Sequence, residues 1–154
     1  MQLGHLPRLP LAVRPTPLQD APRLSAYLGG PRILIKRDDL TGLAMGGNKA
    51  RKLEFLLGEA KARDADVIIT VGAPQSNHAR MTAAAARIYG WEAILVLAGE
   101  RPEEIQGNLL LDRLFGAEVR LIETTDEYVL TGVVEDLARE LVRKGRRPYI
   151  IPRG

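Results

Sequence analysis

The residues best suited to chemistry stand together at positions 46 to 54, where the chain reads GGNKARKLE. Gly46 and Gly47 allow the backbone to approach another group closely, with φ values that other residues resist. Lys49 follows at the predicted start of a helix, where unpaired N–H groups and the helix dipole create positive potential. We expect this field, together with burial, to favour the neutral amine, which can attack an aldehyde and form a Schiff base. The alternative is an ordinary solvated lysine on the first turn of a surface helix.

A second polar loop occupies residues 72 to 80, GAPQSNHAR, directly after a predicted strand. Either Ser76 or Asn77 is well placed to cap the helix that follows. Capping explains one of the two, but not the grouping of Gln, Ser, Asn and His ahead of a mostly small, apolar helix. The backbone N–H groups at this helix start would bind a carboxylate or a phosphate. If both loops line one pocket, a Schiff-base lysine, an anion site and a hydroxyl meet there.

The elements around these loops alternate between strand and helix after a Pro- and Gly-rich arm at residues 5–31. Continuous apolar runs such as 67–71 suit buried parallel strands, and the helices between them imply βαβ crossovers. We therefore predict an α/β fold with three layers, α/β/α, around a parallel sheet. In such sheets ligands bind beyond the carboxyl ends of the strands. The predicted strands are 33–36, 67–71, 93–97, 119–122 and 149–151, and the predicted helices are 49–63, 77–89, 102–115 and 127–144.

Composition narrows the function classes. The chain has 154 residues, a formal net charge of +3 and no cysteine, which excludes disulfides and thiolate metal sites. Its one tight basic run, residues 143–147, surrounds a predicted helix end, where cations are favourable in their own right, so nucleic-acid binding is a weak interpretation. Residues 46–49 lack the Gly-x4-Gly-Lys-Ser/Thr pattern of a nucleotide-binding phosphate loop. Without a long apolar run, we expect a cytoplasmic protein with no metal, no nucleic-acid partner and no membrane partner.

Four stretches of the chain, in this order, resemble one known family: 14–18, 35–42, 46–54 and 75–80. From about residue 10 to Gly154 the chain is similar to the 1-aminocyclopropane-1-carboxylate deaminase and D-cysteine desulfhydrase family. The resemblance implies the tryptophan synthase β-like fold, fold type II, and the cofactor pyridoxal 5'-phosphate. Within the second stretch, we interpret Arg37, Asp38 and Asp39 as structural ion pairs.

The resemblance gives each matching polar residue a role. Lys49 would hold the cofactor as a Schiff base and later move protons on the substrate, and Asn77 would hydrogen-bond the ring hydroxylate of the cofactor. Ser76 would contact the substrate carboxylate and take part in proton transfer. His78 and the backbone of Asn77 would complete the carboxylate site at the helix start. Lys52, one turn after Lys49, would reach the cofactor phosphate, unless it is a solvated helix lysine.

His78 also bears on the choice of substrate. Family members named as deaminases tend to carry Gln at this position, and those named as D-cysteine desulfhydrases tend to carry His. This favours α,β-elimination on a small D-amino acid, which would convert D-cysteine to pyruvate, sulfide and ammonia. Deamination of 1-aminocyclopropane-1-carboxylate is the alternative. A histidine at this place is also compatible with an ordinary polar loop residue.

Family chains are roughly twice as long as this one, and the resemblance covers only their N-terminal half. Residues 1–45 would then be an N-terminal arm and a strand of an incomplete large domain, and residues 46–154 would be the small α/β domain. The second half would supply the loop that cups the cofactor phosphate and the partner of the pyridine nitrogen. We therefore expect the chain alone to be inactive or barely active, so a catalytically incomplete remnant domain is the alternative of another class. Full-length members are expected to be homodimers, and parts of the arm and residues 33–40 should expose apolar surface here.

Overall fold

The computed structural model describes residues 4–152 and contains the predicted alternation of strands and helices. The strands are β1 (Leu18–Asp20), β2 (Leu34–Lys36), β3 (Val67–Gly72), β4 (Glu92–Ala98), β5 (Glu118–Ile122) and β6 (Pro148–Ile151). The helices are α1 (Pro22–Leu28), α2 (Lys49–Ala62), α3 (Asn77–Ile88), α4 (Gly107–Leu114) and α5 (Glu127–Arg143), and two short 3-10 turns, Asp38–Thr41 and Leu43–Met45, precede α2. Among the described residues, no helix is both long enough and apolar enough to cross a membrane.

Four strands form one parallel sheet in the order β5–β4–β3–β6. In the register of the central strand, Val67 lies opposite Glu92 of β4 on one side and opposite Pro148 of β6 on the other. The chain leaves β3 towards β4 and β5 and returns to the far side of β3 for β6. The crevice beyond the ends of β3 and β6 is therefore the topological switch point, where open parallel sheets bind their ligands.

Helices cover both faces of this sheet, which confirms the predicted three layers. Ile68 and Leu95 point into a core shared with α2, α3 and α4, where Leu53 and Leu57 are fully buried. Val67, Ile69, Ile94 and Val96 point to the opposite face and pack against Leu130, Val134, Leu137 and Leu141 of α5. Burial on both faces explains why these strands are continuous apolar runs instead of alternating ones.

Helix α4 begins at Gly107, five residues after the start that the sequence predicted at Pro102. The side chain of Gln75 fixes this start. Its Oε1 accepts a hydrogen bond from the backbone N–H of Asn108 at 2.9 Å, and its Nε2 donates to the carbonyl of Gln106 at 3.1 Å. The predicted start was wrong because the group that satisfies the first turn lies more than thirty residues earlier in the chain.

The N-terminal arm has two parts that pack differently. Residues 8–12 lie against α2, where the N–H of Leu9 donates to the carbonyl of Glu54 at 2.8 Å and Leu9 is buried. Beyond them, β1 and β2 form a separate antiparallel pair, with Leu18 opposite Lys36. Neither β1 nor α1 was predicted, since they are only three and seven residues long and lie in the Pro- and Gly-rich segment. The domain boundary at residue 46 stays a prediction.

Candidate functional site

Gly46 and Gly47 adopt backbone conformations that favour glycine, with φ of +79° and +137°. A Cβ on Gly46 would lie 1.9 Å from the carbonyl oxygen of Asp39, so no other residue fits there. Thr41 fixes the turn: its hydroxyl donates to the Gly47 carbonyl and accepts from the Gly47 N–H, both at 2.9 Å. The chain then enters α2 with Lys49 as the first helical residue, as the sequence predicted. The Lys49 side chain is half-buried.

Ion pairs hold the segment ahead of this turn. Arg37 bonds Asp39 with its Nη2 at 2.7 Å, and Arg51 of α2 bonds Asp38 at 2.6 Å. The guanidinium of Arg51 also donates to the hydroxyl of Thr16 at 2.8 Å. The interpretation of the Arg37–Asp39 segment as structural ion pairing is therefore confirmed, and its effect is to seat the glycine turn against α2.

The second polar loop follows the carboxyl end of β3. Gly72 is buried, and a Cβ there would lie 2.9 Å from the Cβ of Ser76, so the sharp exit from the strand requires glycine. Of the two candidate caps, Ser76 is the one used: its Oγ accepts the N–H of Ala79 at 3.2 Å. The bond uses a lone pair of the Ser76 oxygen and leaves the hydroxyl hydrogen available to a ligand. The N–H groups of Asn77 and His78, at the first two helical positions, have no carbonyl a turn before them to bond.

Asn77 is exposed at this helix start and belongs to a polar network that sequence reasoning missed. Its Oδ1 accepts from Arg80 Nη1 at 2.9 Å and from Asn108 Nδ2 at 3.0 Å. Arg80 also donates to Asn108 Oδ1 at 2.7 Å and to the Gly46 carbonyl at 3.2 Å. The glycine turn, the loop after β3 and the start of α4 therefore meet at one guanidinium. In the sequence, the sign of this arrangement is an arginine near the start of an alanine-rich helix.

His78 is not a polar loop residue, because its side chain is 3% exposed in the first turn of α3. Its Nε2 lies 3.2 Å from Thr70 Oγ1, and that hydroxyl donates its one hydrogen to the carbonyl of Ile151 at 2.9 Å. Nε2 must therefore be the donor to Thr70, which leaves Nδ1 as an acceptor. This Nδ1 is buried and has no partner among the described residues. Burial, followed by the charges of Lys52 and Lys49, lowers the pKa of His78 to about 4, so the ring is neutral at physiological pH.

The structure brings Lys49, Lys52 and His78 close to one another. Lys52 is half-buried, and burial followed by the charge of Lys49 lowers its pKa below the ordinary value. The two lysines lie one turn apart on the same side of α2, which faces α3. The result is a region of positive potential between two helix starts, suited to a ligand that carries a phosphate or a carboxylate. The groove between α5 and β6 lies on the opposite face of the sheet, is mainly apolar and contains none of these side chains.

Known proteins show the same combination of sequence and fold. The family described as "Pyridoxal-phosphate dependent enzyme" matches residues 9–154. A Pyrococcus furiosus protein named "Putative 1-aminocyclopropane-1-carboxylate deaminase" is 52% identical over 99% of this chain and 45% of its own length. The D-cysteine desulfhydrase of Klebsiella pneumoniae is 46% identical over 99% of this chain and 47% of its own length. The chain thus spans about half the length of the curated relatives it matches.

Solved structures agree with this similarity. The crystal structure of an ACC deaminase homologue superposes with a TM-score of 0.90 at 51% identity, over 97% of this chain and 45% of that one. A threonine deaminase from T.th. superposes with a TM-score of 0.64 at 28% identity, over 88% of this chain and 39% of that one. The predicted fold type II architecture is confirmed by these two matches.

Proposed function

Because the chain belongs to the family of pyridoxal-phosphate dependent enzymes, we propose that it carries the lysine-bearing part of an elimination site for a small D-amino acid. The proposed reaction converts D-cysteine and water to pyruvate, sulfide and ammonia. The observation that carries the proposal is the position of Lys49, half-buried at the first turn of α2 behind two glycines that no other residue could replace without clash or strain.

The residues present fit the cofactor of this family in three ways. The turn at Gly46 and Gly47 accepts only glycine without clash or strain, so it fixes the place of Lys49 at the start of α2. The neighbouring groups are cations and N–H donors, which suit a phosphate and a ring oxygen. The Nδ1 of His78 is a buried acceptor without a partner among residues 4–152, and a donor on a bound molecule would satisfy it.

Each proposed role follows from the donor or acceptor that the side chain has free. When bound, the pyridoxal group supplies an electron sink for negative charge at the substrate Cα. Lys49 would anchor it and carry the Cα proton, since its amine stands at the helix start. Ser76 would donate its hydroxyl hydrogen to the substrate carboxylate beside the N–H groups of Asn77 and His78. Lys52 would pair with the phosphate.

The names of the two relatives point to two different substrates. His78 favours D-cysteine, by the residue tendency that the resemblance implies. The slightly higher identity to the Pyrococcus furiosus protein, 52% against 46%, favours 1-aminocyclopropane-1-carboxylate as the alternative. A third possibility is an incomplete domain without turnover. The homodimer implied for full-length members stays a prediction.

The test is covalent trapping of the cofactor on the purified chain. Pyridoxal phosphate is added, the mixture is reduced with borohydride, and the modified lysine is located by peptide mass spectrometry. We expect Lys49 to be the modified residue. Before reduction, the mixture should show a visible absorbance band of the imine that is absent in Lys49→Ala and present in Lys61→Ala, a change of an exposed lysine on the same helix. Labelling spread over surface lysines, unaffected by Lys49→Ala, would contradict the proposal.

Product assays then separate the three alternatives. Sulfide release from D-cysteine that exceeds ammonia release from 1-aminocyclopropane-1-carboxylate supports the proposed substrate, and the reverse order supports the deaminase. Selective labelling of Lys49 without either product identifies the incomplete domain.

A further inference from the structure

Arg80 is a buried guanidinium in the middle of the candidate site. It is 8% exposed, and three of its hydrogen bonds go to acceptors on three different segments: Gly46, Asn77 and Asn108. Its Nε is buried without a partner among the described residues. A buried charge on a helix that is mostly small and apolar is costly, so packing alone does not account for it.

The donor-only chemistry of Arg80 fixes the orientation of two side-chain amides. A guanidinium cannot accept a hydrogen bond, so the atoms of Asn77 and Asn108 that face Nη1, at 2.9 and 2.7 Å, must both be oxygens. The NH2 group of Asn108 then points to the Gln75 carbonyl at 2.7 Å and to Asn77 Oδ1 at 3.0 Å. Turning either amide over would place donors against donors, so the arrangement has one solution.

The consequence lies at Asn77. With its oxygen held by two donors, Asn77 can offer an incoming molecule only its NH2 group. We propose that Arg80, assisted by Asn108, is a positioning residue that presents the Asn77 amide as a hydrogen-bond donor, so that the ligand atom received there is an anionic or carbonyl oxygen. This inference rests on the proposed function only for the identity of the ligand; there the oxygen is the ring oxygen of pyridoxal phosphate.

Arg80 also joins the two halves of the site. Its Nη2 donates to the carbonyl of Gly46, three residues before Lys49, while Nη1 holds Asn77. A planar, rigid fork can span acceptors on two loops in a way that a lysine ammonium cannot. One buried side chain therefore links the donor amide to the turn that precedes the lysine.

The first test measures the orientation without any cofactor. In the wild-type chain we expect side-chain N–H order parameters for Asn77 near the value of rigid backbone, about 0.85, and in Arg80→Lys a fall below about 0.6. Asn108→Ala removes one partner at a half-buried position and should lower them in the same direction by a smaller amount. Arg87→Lys, at an exposed position of the same helix, is the control.

The second test uses pyridoxal phosphate itself. Arg80→Lys should weaken its apparent affinity about tenfold, the loss of one well-placed hydrogen bond to a charged oxygen. Adding Asn77→Ala to Arg80→Lys should cause no further loss, because both changes remove the same contact. Unchanged Asn77 order parameters in both Arg80→Lys and Asn108→Ala would overturn the positioning role, whether or not Lys49 is labelled. Failure of Lys49 labelling in the wild type overturns the proposed function instead, and leaves the order parameters as a separate result.

Discussion

The two β-sheets that residues 4–152 form bury very different shares of their side chains. In the central strand of the parallel sheet, Val67, Ile68 and Ile69 are fully buried between helices on both faces. In the antiparallel pair, every residue of β1 and β2 is exposed, including Leu18 at 60% and Leu34 at 44%. Similar apolar residues thus contribute to stability in one sheet and remain in contact with water in the other.

The exposure extends beyond the two strands of the antiparallel pair. Helix α1, which connects its strands, buries none of its residues, and Tyr27 at its end is 86% exposed. Leu34, Ile35 and Leu40 are all more than 40% exposed, which confirms the prediction of apolar surface between residues 33 and 40. Exposed apolar area of this kind favours association between molecules.

The largest expected contrast between the sheets comes from one substitution made in each. Leu57→Ala, in the fully buried core under the parallel sheet, should lower the free energy of unfolding by about 2–5 kcal/mol. Leu34→Ala, on the exposed strand β2, should change it by less than about 0.5 kcal/mol. Chemical denaturation of both variants measures the difference. Equal losses would mean that the antiparallel pair is part of the same core.

Glu54 of α2 bonds the first part of the N-terminal arm to the core around the parallel sheet. Its fully buried carboxylate bonds Arg8 Nε at 2.7 Å and the N–H groups of Leu11 and Ala12 at 3.1 and 3.0 Å. Burial acts to raise the pKa of Glu54, but the Ala12, Leu11 and Arg8 contacts outweigh it, and the net pKa lies below the ordinary value. Glu54→Gln keeps the shape and removes the charge, so we expect a loss of about 3 kcal/mol.

A matched change at the surface provides the control for Glu54. Glu118 pairs with Arg120 at 2.6 Å, but both side chains are about 40% exposed. Glu118→Gln should cost less than about 1 kcal/mol. Hydrogen exchange of residues 9–13 should rise in Glu54→Gln and not in Glu118→Gln. If it stays low in both, the arm is held by other contacts.

Asp112 is a second buried carboxyl group, and it lacks the hydrogen-bond partners that Glu54 has among the described residues. It is fully buried on α4, and neither carboxylate oxygen has a hydrogen-bond partner among the described residues. Burial raises the pKa of Asp112 to about 7, with the charge of Arg80 acting in the opposite direction. The folded state therefore binds a proton that the unfolded state has lost between pH 3.8 and about 7, so this group makes stability fall as the pH rises through that range. We expect Asp112→Asn to be about 2 kcal/mol more stable than the wild type at pH 8 and nearly equal to it at pH 4. A stability difference that does not depend on pH would contradict this.

His78 should show the opposite sign in an overlapping range. Its pKa is lowered from 6.5 to about 4, so between these values the unfolded state binds the proton and the folded state does not. The stability that the neutral His78 ring contributes is therefore present above pH 6.5 and is lost as the pH falls towards 4. In the wild type, the effects of Asp112 and His78 on the pH dependence of stability offset each other. At pH 5, the free energy of unfolding of His78→Gln should exceed that of the wild type by about 1 kcal/mol. Urea denaturation of both single variants from pH 4 to pH 8 would reveal the two opposed slopes.

The sequence predicted the local features of the site and missed those that depend on strand register. Lys49 at the start of α2 and a cap at Ser76 or Asn77 follow from residue types a few positions apart, and the structure assigns the cap to Ser76. The Arg80–Asn108 contact joins residues 28 positions apart and exists only because β3 and β4 are neighbours. The bond from Thr70 to the carbonyl of Ile151, which fixes Nε2 of His78 as a donor, depends in the same way on β6 returning beside β3. Helix periodicity carries no information about such contacts between elements.

Substitutions in the exposed antiparallel pair should have the smallest effect on stability. They also give the sharpest test of the contrast between the two sheets. Leu34→Lys and Ile35→Thr together remove apolar surface from β2 without touching the buried core. Because these side chains gain little from folding, the free energy of unfolding should change by less than about 0.5 kcal/mol. Self-association and binding of a hydrophobic dye should nevertheless decrease, since exposed apolar area drives both. Sedimentation velocity measures self-association and dye fluorescence measures dye binding. The control is Val142→Thr, at an exposed apolar position on α5, which packs on the parallel sheet. If Val142→Thr reduces association as strongly, the exposed area of the antiparallel pair is not the surface through which copies of the chain associate.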